Sequence, residues 1–366
     1  MSRYFFGRGR GVVYRLIMVL IFQVVALCPG FAERYAIIVG HNKGGPSVDE
    51  LHYAETDALR GSTLLKKHCG FKAENIQLLL HPDSGTLMRA GEELIGELSS
   101  SNNQESNLFF FYYSGHADVE GLLFENIRIP FSALKNLFSR IPAEIRIAVF
   151  DACQSGAVVA FKGGKRAEPF FFSTEQKSKG EIWIASSSAQ ERAQESESLK
   201  SSLFSFHFFN GLCGSADVSH DLRVTVSEAY QYAYKKTIET SALTTGVVQH
   251  PMYRFNLSGE GDIILSDFSD KQGGITIDKT CSGTFLIMSR NYSDVYADFF
   301  KPAQTESFIA LADGNYIIIN AKGSTNIGLY QFSISGAQSI VCNSEMFHAS
   351  LLEKTRKKKW GGEHLK

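Results

Sequence analysis

The sequence carries almost no net charge, and it lacks the glycine-rich loops that bind nucleotide phosphates. Its 37 lysine and arginine residues nearly balance 38 aspartate and glutamate residues, for a formal net charge of -1. This balance gives no basis for a nucleic-acid partner or for electrostatic attachment to a membrane surface. No Walker-type or Gly-x-Gly-x-x-Gly loop is present. His207, His220 and His250 have no ligand partners at metal spacing, so the sequence predicts no metal site.

The apolar run near the N-terminus, residues 16–27, is too short to cross a membrane comfortably. It has about 12 residues where a span needs about 20. Four arginines precede it, and the small residues Gly30 and Ala32 follow it, which is typical of a cleaved export signal. We therefore expect residues 1–32 to be a signal peptide and the protein to be exported, either periplasmic or secreted. Membrane contact is expected only if this leader stays uncleaved.

Cysteine is scarce, with 6 residues in 366, of which all but Cys28 follow the predicted leader. An odd number of cysteines in an exported protein leaves at least one free thiol, and Cys153 is our candidate for it. The sequence leaves open whether Cys281 and Cys342 form a disulfide in an oxidising compartment.

Short apolar runs alternate with helical stretches over the first two-thirds of the chain. The runs predict buried strands at residues 35–39, 76–80, 108–113, 145–150 and 182–185, and an edge strand at 252–257. Helices are predicted over residues 49–68, 86–99, 202–212 and 225–240. Near-continuous apolar strands that alternate with helices predict an α/β fold, with a mostly parallel sheet covered by helices on both faces.

The pattern changes near residue 266, after which short strands and turns replace the alternation. Asp313-Gly314 is a strong turn signal between two of these strands. We predict a small all-β, sandwich-like module over residues 271–350, followed by a solvated basic tail over 351–366. The sequence does not decide what the module does.

Two of the predicted strands end in residues that carry chemistry. The third strand runs into Ser114-Gly115-His116-Ala117, and the fourth runs into Asp151-Ala152-Cys153. If these strands are neighbours about 5 Å apart, both ends meet at the carboxyl edge of the sheet, where ligands bind in α/β folds. This pairing predicts Cys153 as a nucleophile and His116 as its general base.

Thiol chemistry suits this pair of side chains. The imidazole of His116 either takes the thiol proton or stabilises the thiolate as an ion pair, and later protonates a leaving amine. We expect the backbone N–H groups of Ala117 and Cys153 to stabilise the oxyanion. This chemistry needs no cofactor.

The strings FFFYYSGHA and AVFDACQSG resemble the histidine and cysteine motifs of the caspase and metacaspase clan. The resemblance covers residues 33–267 and implies the caspase-hemoglobinase fold and a cysteine endopeptidase. Animal caspases have Gln-Ala-Cys at the nucleophile, with the histidine about 50 residues upstream. Here Asp151 replaces that glutamine and the interval from His116 is shorter, which favours bacterial metacaspase-like relatives.

The same resemblance implies a primary specificity pocket formed by Asp57, Ser114 and Asp151. Two buried carboxylates favour a cationic partner, so we predict cleavage after Arg or Lys in a peptide or protein substrate. Two alternatives remain open. One is a catalytically silent interaction protein that retains the caspase-like fold, and the other is a transpeptidase or ligase on the same scaffold.

Overall fold

The structure of the protein is a computed structural model that describes most of the chain after the predicted leader. The described residues are 33–45, 48–100, 107–125, 127–159, 179–259, 261–292, 294–322 and 326–349. The predicted signal peptide, residues 1–32, and the predicted basic tail, residues 351–366, lie outside them. The described residues from Arg34 onward belong to one compact unit.

Strands and helices alternate in the first two-thirds of the described chain, and strands dominate the rest. The strands are β1 (Arg34–His41), β2 (Ile76–Leu80), β3 (Leu108–Gly115), β4 (Gly121–Phe124), β5 (Ile127–Pro130), β6 (Ile145–Asp151), β7 (Lys179–Ala185), β8 (Glu195–Ser196), β9 (Ser201–Ser202), β10 (Arg223–Thr225), β11 (Met252–Ser258), β12 (Ile264–Asp267), β13 (Gly274–Ile277), β14 (Gly283–Ser289), β15 (Val295–Lys301), β16 (Ser307–Ala310), β17 (Gly314–Lys322), β18 (Asn326–Ile334), β19 (Ser339–Cys342) and β20 (His348–Ala349). The α-helices are α1 (Ala54–His68), α2 (Ser84–Ser100), α3 (Phe131–Arg140), α4 (Gly156–Val159), α5 (Leu203–Asn210) and α6 (Val226–Thr244).

The central sheet has six strands in the order β11-β7-β6-β3-β1-β2. All neighbours in it are parallel except β11, which pairs antiparallel with β7 at the edge. The predicted α/β class, mostly parallel sheet and edge strand are therefore confirmed. Each predicted strand falls within an observed one.

Helices cover both faces of this sheet, because its inner strands are apolar on both sides. In β3, Phe110 and Tyr112 face one layer, which holds α1, α5 and α6. Phe109, Phe111 and Tyr113 face the other layer, which holds α2 and α3. Fully burying side chains of this size stabilises the fold by about 1.5–3 kcal/mol each. The consecutive aromatic residues therefore fix β3 in the middle of the sheet.

Two features of this region differ from the predictions. The first helix begins at Ala54, and not at residue 49, because the chain before it is an irregular loop in which the Leu51 N–H donates to the Asn42 carbonyl (2.9 Å). The hairpin of β4 and β5 and the helix α3 were not predicted. They lie in the interval between His116 and Cys153, where short elements give weak periodicity.

The C-terminal strands form two further sheets that share one hydrophobic core. One sheet has the order β16-β13-β19, and the other has the order β15-β14-β17-β18-β20. Ile275, Phe285 and Ile309 from the two sheets meet in this core. The pairing of β13 with β19 is parallel, and the other pairings in these sheets are antiparallel. The predicted all-β character of the C-terminal region is thus confirmed.

Cys281 and Cys342 lie together in this C-terminal core as free thiols. The Cys281 thiol donates a long hydrogen bond to the Cys342 carbonyl, with a sulfur–oxygen distance of 3.8 Å. Among the described residues, no helix is both long and apolar enough to span a lipid bilayer.

Candidate active site

The candidate active site lies at the carboxyl edge of the central sheet, where β3 and β6 are adjacent. In the register of these two parallel strands, Ser114 is opposite Asp151. His116 and Cys153 each follow two residues beyond those paired positions. Neighbouring strands are about 4.8 Å apart, so both residues leave the sheet at the same edge and side by side.

His116 is buried and held on three sides. Its ring Nε2 lies 3.2 Å from the Asn42 carbonyl oxygen, and its own carbonyl accepts hydrogen bonds from the Tyr113 hydroxyl (2.7 Å) and the Leu123 N–H (2.9 Å). A Cβ atom at Gly44 would lie only 2.5 Å from the ring carbons, so the imidazole occupies the space that this glycine leaves. Burial lowers the pKa of His116, which favours the neutral ring.

Cys153 begins a tight turn between β6 and α4, and it is partly exposed. Burial raises the pKa of its thiol, while the Ala193 N–H and the positive charge of Arg192 act in the opposite direction. The next residue, Gln154, has a φ of 54°, in the left-handed region that non-glycine residues rarely adopt.

The pKa shifts of the two residues favour one of the two protonation schemes. A raised pKa for Cys153 and a lowered pKa for His116 both stabilise the neutral thiol and neutral imidazole over a thiolate–imidazolium pair. In the free protein, His116 is therefore a base able to accept a proton.

Ala117, the predicted oxyanion donor, forms an isolated antiparallel bridge with Leu122. The hydrogen bonds that close this bridge are donated by Asp118 to Gly121 (3.0 Å) and by Leu123 to His116 (2.9 Å). Neither of them uses the Ala117 N–H. The bridge therefore positions Ala117 next to His116 without engaging its amide.

Asp57 and Asp151 are buried close together, beside the candidate dyad. Asp57 belongs to the buried stripe of α1, between Ala54 and Gly61, and Asp151 is the last residue of β6. Burial, and secondarily the charge of Asp151, raise the pKa of Asp57 to about 7, although serine hydrogen bonds oppose the shift. Within the described part of the chain, no cationic side chain pairs with either carboxylate.

Three serines surround these carboxylates. Ser201 donates to Asp57 Oδ1, and Ser202 donates to Asp57 Oδ2 from both its N–H and its hydroxyl (2.9 Å each). The Ser202 hydroxyl also contacts Asp151 Oδ2, which accepts further hydrogen bonds from the N–H (3.1 Å) and hydroxyl of Ser205. A hydroxyl has one proton, so Ser202 cannot donate to both carboxylates at once.

One polar atom of this cluster is left over. Asp151 Oδ1 is buried and has no hydrogen-bond partner among the described residues. Ser114, the third predicted pocket residue, is buried opposite Asp151 in the strand register. The structure thus brings together Asp57, Ser114 and Asp151, and leaves one buried carboxylate oxygen without a partner among the described residues, which is energetically unfavourable.

Sequence reasoning missed the serines, and it gave no role to the segment 186–194. A signal for the serines was present in the sequence. Ser201 and Ser202 directly precede the run of residues 203–209, which is almost wholly apolar, and Ser205 lies within it. Polar residues in a fully buried helix need buried partners. Among the described residues, no group of three or more His, Cys, Asp or Glu side chains is arranged to hold a metal ion.

This edge of the sheet has the architecture of a cysteine peptidase. The chain belongs to the caspase domain family, whose model matches residues 33–258. Among solved structures, 228 chains match. One is caspase-1 from Spodoptera frugiperda, which is 13% identical, with a TM-score of 0.48 over 65% of this chain and 93% of that one. No curated relative matches the sequence.

Proposed function

We propose that the protein is a cysteine endopeptidase that cleaves after Arg or Lys, with Cys153 as nucleophile and His116 as general base. The observation that carries the proposal is the parallel pairing of β3 with β6, in which Ser114 lies opposite Asp151. This register brings the histidine and the cysteine to one edge of the sheet. Membership of the caspase domain family supports the same chemistry.

The reaction has two steps. The Cys153 sulfur attacks the scissile carbonyl carbon, while His116 takes the thiol proton and passes it to the leaving amine as the C–N bond breaks. The thioester that results is attacked by water, whose proton His116 accepts and returns to the sulfur as the peptide carboxylate leaves. The N–H groups of Ala117 and Cys153 stabilise the oxyanion in both steps.

Preference for a basic residue follows from the acid pair. A guanidinium or ammonium group beside Asp57 and Asp151 would donate to the unpartnered Asp151 Oδ1 and neutralise two carboxylates that repel each other. An aspartate side chain in the same place would add a third negative charge to a buried cluster. The pocket therefore selects against the substrates of an aspartate-specific peptidase.

The test is hydrolysis of matched reporter peptides that end in Arg, Lys or Asp. We expect wild type to cleave after Arg and Lys, Cys153→Ala to be inactive, and Asp151→Asn to lose the preference for basic residues. Cys213→Ala, which removes another free thiol, is the matched control and should retain activity.

Other outcomes would change the proposal in different ways. Cleavage after Asp would retain the peptidase and exclude the acidic pocket. No cleavage of any peptide would favour a non-catalytic interaction protein. A product that has gained the mass of an added amine, in place of water, would identify a transpeptidase or ligase.

We also propose that the protein is exported, on the strength of the arginines, the apolar run and the small residues in its first 32 positions. Peptide mapping of protein recovered outside the cytoplasm should place the new N-terminus at or near Glu33. A mature chain that retains Met1 in the membrane fraction would indicate an uncleaved anchor.

A further inference from the structure

The segment 186–194, which follows β7, lies directly against the turn that carries Cys153. The Gln154 N–H donates to the Glu191 carbonyl (2.9 Å), and the Ser187 hydroxyl donates to the Ala152 carbonyl (3.1 Å). The backbone N–H of Ala193, in the same segment, lowers the pKa of the Cys153 thiol against the larger effect of burial. The turn and the segment therefore form one packed unit.

The fit between them leaves no spare volume at Gly156. A Cβ atom there would lie 2.6 Å from the Ala189 nitrogen and 2.7 Å from the Ser188 carbonyl carbon. Both are backbone atoms, which cannot move aside as a flexible side chain can. A shift of the segment would therefore move the turn, or detach from it.

The turn needs this external support because Gln154 is in the left-handed region. A non-glycine residue in that conformation costs about 1 kcal/mol or more and persists when its surroundings hold it there. The hydrogen bond from its N–H to the Glu191 carbonyl is the contact that holds it directly. The position of the Glu191 backbone thus bears on the conformation of the residue next to the nucleophile.

Glu191 is fixed in turn by His250, which precedes the edge strand β11. One carboxylate oxygen accepts the His250 backbone N–H (2.8 Å), and the other lies 2.8 Å from the ring Nδ1. Burial opposes ionisation of Glu191, but the hydrogen bonds from His250 outweigh it and lower the pKa of this carboxyl group.

The Gln249 side chain forms hydrogen bonds with both ends of the segment 186–194. Its side-chain Nε2 donates to the Ser186 carbonyl (2.7 Å), and its Oε1 accepts from the Gln194 N–H (3.0 Å). Gln249 is buried, so both hydrogen bonds are shielded from water. The segment is consequently held at both ends by Gln249 and in the middle by His250.

We propose that Glu191, held by His250, is a positioning residue for the nucleophile: it fixes the segment whose backbone supports Gln154 and packs against the turn that carries Cys153. The proposal rests on the proposed function in taking Cys153 as the nucleophile. Glu191 acts through the segment and does not touch the substrate. His250, to which the sequence assigned no metal-binding role, thereby acquires a role in catalysis through Glu191.

The experiment compares Glu191→Ala with Glu191→Gln, and uses Gln190→Ala, an exposed neighbour, as the matched control. The amide of Glu191→Gln retains an acceptor for the His250 N–H and a donor for its ring nitrogen, so it should restore most of the function. Three quantities are measured on each protein: kcat and KM with an Arg reporter peptide, thermal stability, and the rate of Cys153 alkylation by iodoacetamide as a function of pH.

For Glu191→Ala we expect kcat to fall about 10- to 100-fold with KM within about threefold of wild type, because misplacing a reacting group mainly reduces turnover. The alkylation profile of Cys153 should shift to higher pH, since the thiolate loses the Ala193 N–H. For Glu191→Gln and Gln190→Ala, kcat and the alkylation rate of Cys153 at each pH should remain within about threefold of wild type.

A folded Glu191→Ala protein with wild-type kcat and an unchanged alkylation profile would overturn the proposal. If Glu191→Ala does not fold, His250→Ala removes the ring contact to Glu191 and leaves the backbone N–H contact, so it should change kcat and the alkylation profile in the same direction but less strongly. Wild-type values for both in His250→Ala would overturn the proposal. Alkylation needs no peptidase activity. If wild type cleaves no peptide, the proposed function fails, while the pH profile of Cys153 still decides whether Glu191 positions the thiol.

Discussion

Asp151 and Lys301 are both buried charged residues, but their surroundings differ. Lys301 lies in β15, where burial lowers its pKa and its ammonium group donates to the carbonyls of Cys281 (2.6 Å) and Pro302 (3.3 Å). Asp151 lies at the end of β6 beside Asp57, and one of its oxygens has no partner among the described residues. The chain thus supplies acceptors for the buried cation and leaves the buried anion incompletely satisfied.

The difference indicates what each charge is for. Lys301 bonds to the backbone of its own sheet region, so its effect is confined to the stability of the C-terminal strands. Burial, and to a smaller degree the charge of Asp151, raises the pKa of Asp57 and so disfavours its ionised form, a cost that a cation from outside would offset. The following predictions test this contrast, from the largest expected effect to the smallest.

Asp151→Asn should affect binding and leave stability intact. Removing one partner of a buried charge pair costs about 3–4 kcal/mol, so kcat/KM for an Arg substrate should fall about 100- to 1,000-fold. The thermal midpoint should not decrease, because the substitution also relieves the repulsion with Asp57. Reporter-peptide kinetics and thermal unfolding measure the two effects. A lower midpoint together with unchanged kinetics would show that Asp151 is structural.

Lys301→Met should lower stability and leave substrate binding intact. The Cys281 and Pro302 carbonyls would lose their donor, and we expect the free energy of unfolding to fall by about 1–3 kcal/mol. KM for an Arg peptide should stay at the wild-type value. Denaturant titration alongside kinetics provides the check. A rise in KM would mean that the C-terminal sheets contribute to the pocket.

The pH dependence of cation binding should report Asp57. Because its pKa is raised to about 7, Asp57 is mostly protonated at pH 6 and mostly ionised at pH 8. Benzamidine, a cationic ligand, should bind about tenfold more tightly at pH 8 than at pH 6, and Asp57→Asn should remove this dependence. Binding can be measured without turnover, which separates Asp57 from His116. A flat profile in wild type would contradict the assignment.

The same shift has a consequence for stability, with the opposite sign. The folded-state pKa of Asp57 lies above its unfolded value, so the folded state holds the proton more tightly. The resulting contribution is complete below about pH 4 and is lost as the pH rises to about 7. In Asp57→Asn, the free energy of unfolding should therefore decline less than in wild type between these two pH values. An identical decline would count against a buried, titrating Asp57.

Ser202→Ala should give the smallest effect. The hydroxyl favours ionised Asp57, so its loss should raise the pKa of Asp57 further and weaken benzamidine binding at pH 7 by about two- to fivefold. Ser198→Ala, an exposed serine in the same loop, is the matched control. Equal effects in the two variants would deny Ser202 a particular role.

Much of this site was predictable from the sequence because His116, Cys153 and Asp151 lie at or just after the ends of strands. The apolar runs that precede His116 and Cys153 are long and aromatic or β-branched, so the sequence predicted two buried parallel strands with these residues at their carboxyl ends. That the two strands are direct neighbours was a condition of the prediction, and the structure shows that they are. Asp57 was identified through the resemblance, and the structure places it on the buried stripe of α1.

The residues that support these side chains were not predictable, since they depend on contacts between distant parts of the chain. Ser202 is 145 residues from Asp57, and it reaches the pocket only because β9 precedes α5. Glu191 and His250 meet because β11 pairs antiparallel with β7, a register that no local pattern encodes. The segment 195–202, in which two-residue strands flank a turn, is too short to have a periodicity that indicates which side chains turn inward.

The glycine after the first strand has a consequence of its own. Because Gly44 has no side chain, the His116 ring can occupy the space beside it. The position of the imidazole therefore depends on this missing side chain as well as on hydrogen bonds. A single methyl group, introduced as Gly44→Ala, would displace the imidazole without changing any ionisable group. Local unfolding of the chain around Asn42 and Gly44 would likewise release His116, which makes the order of that short stretch a condition for the base to be in place.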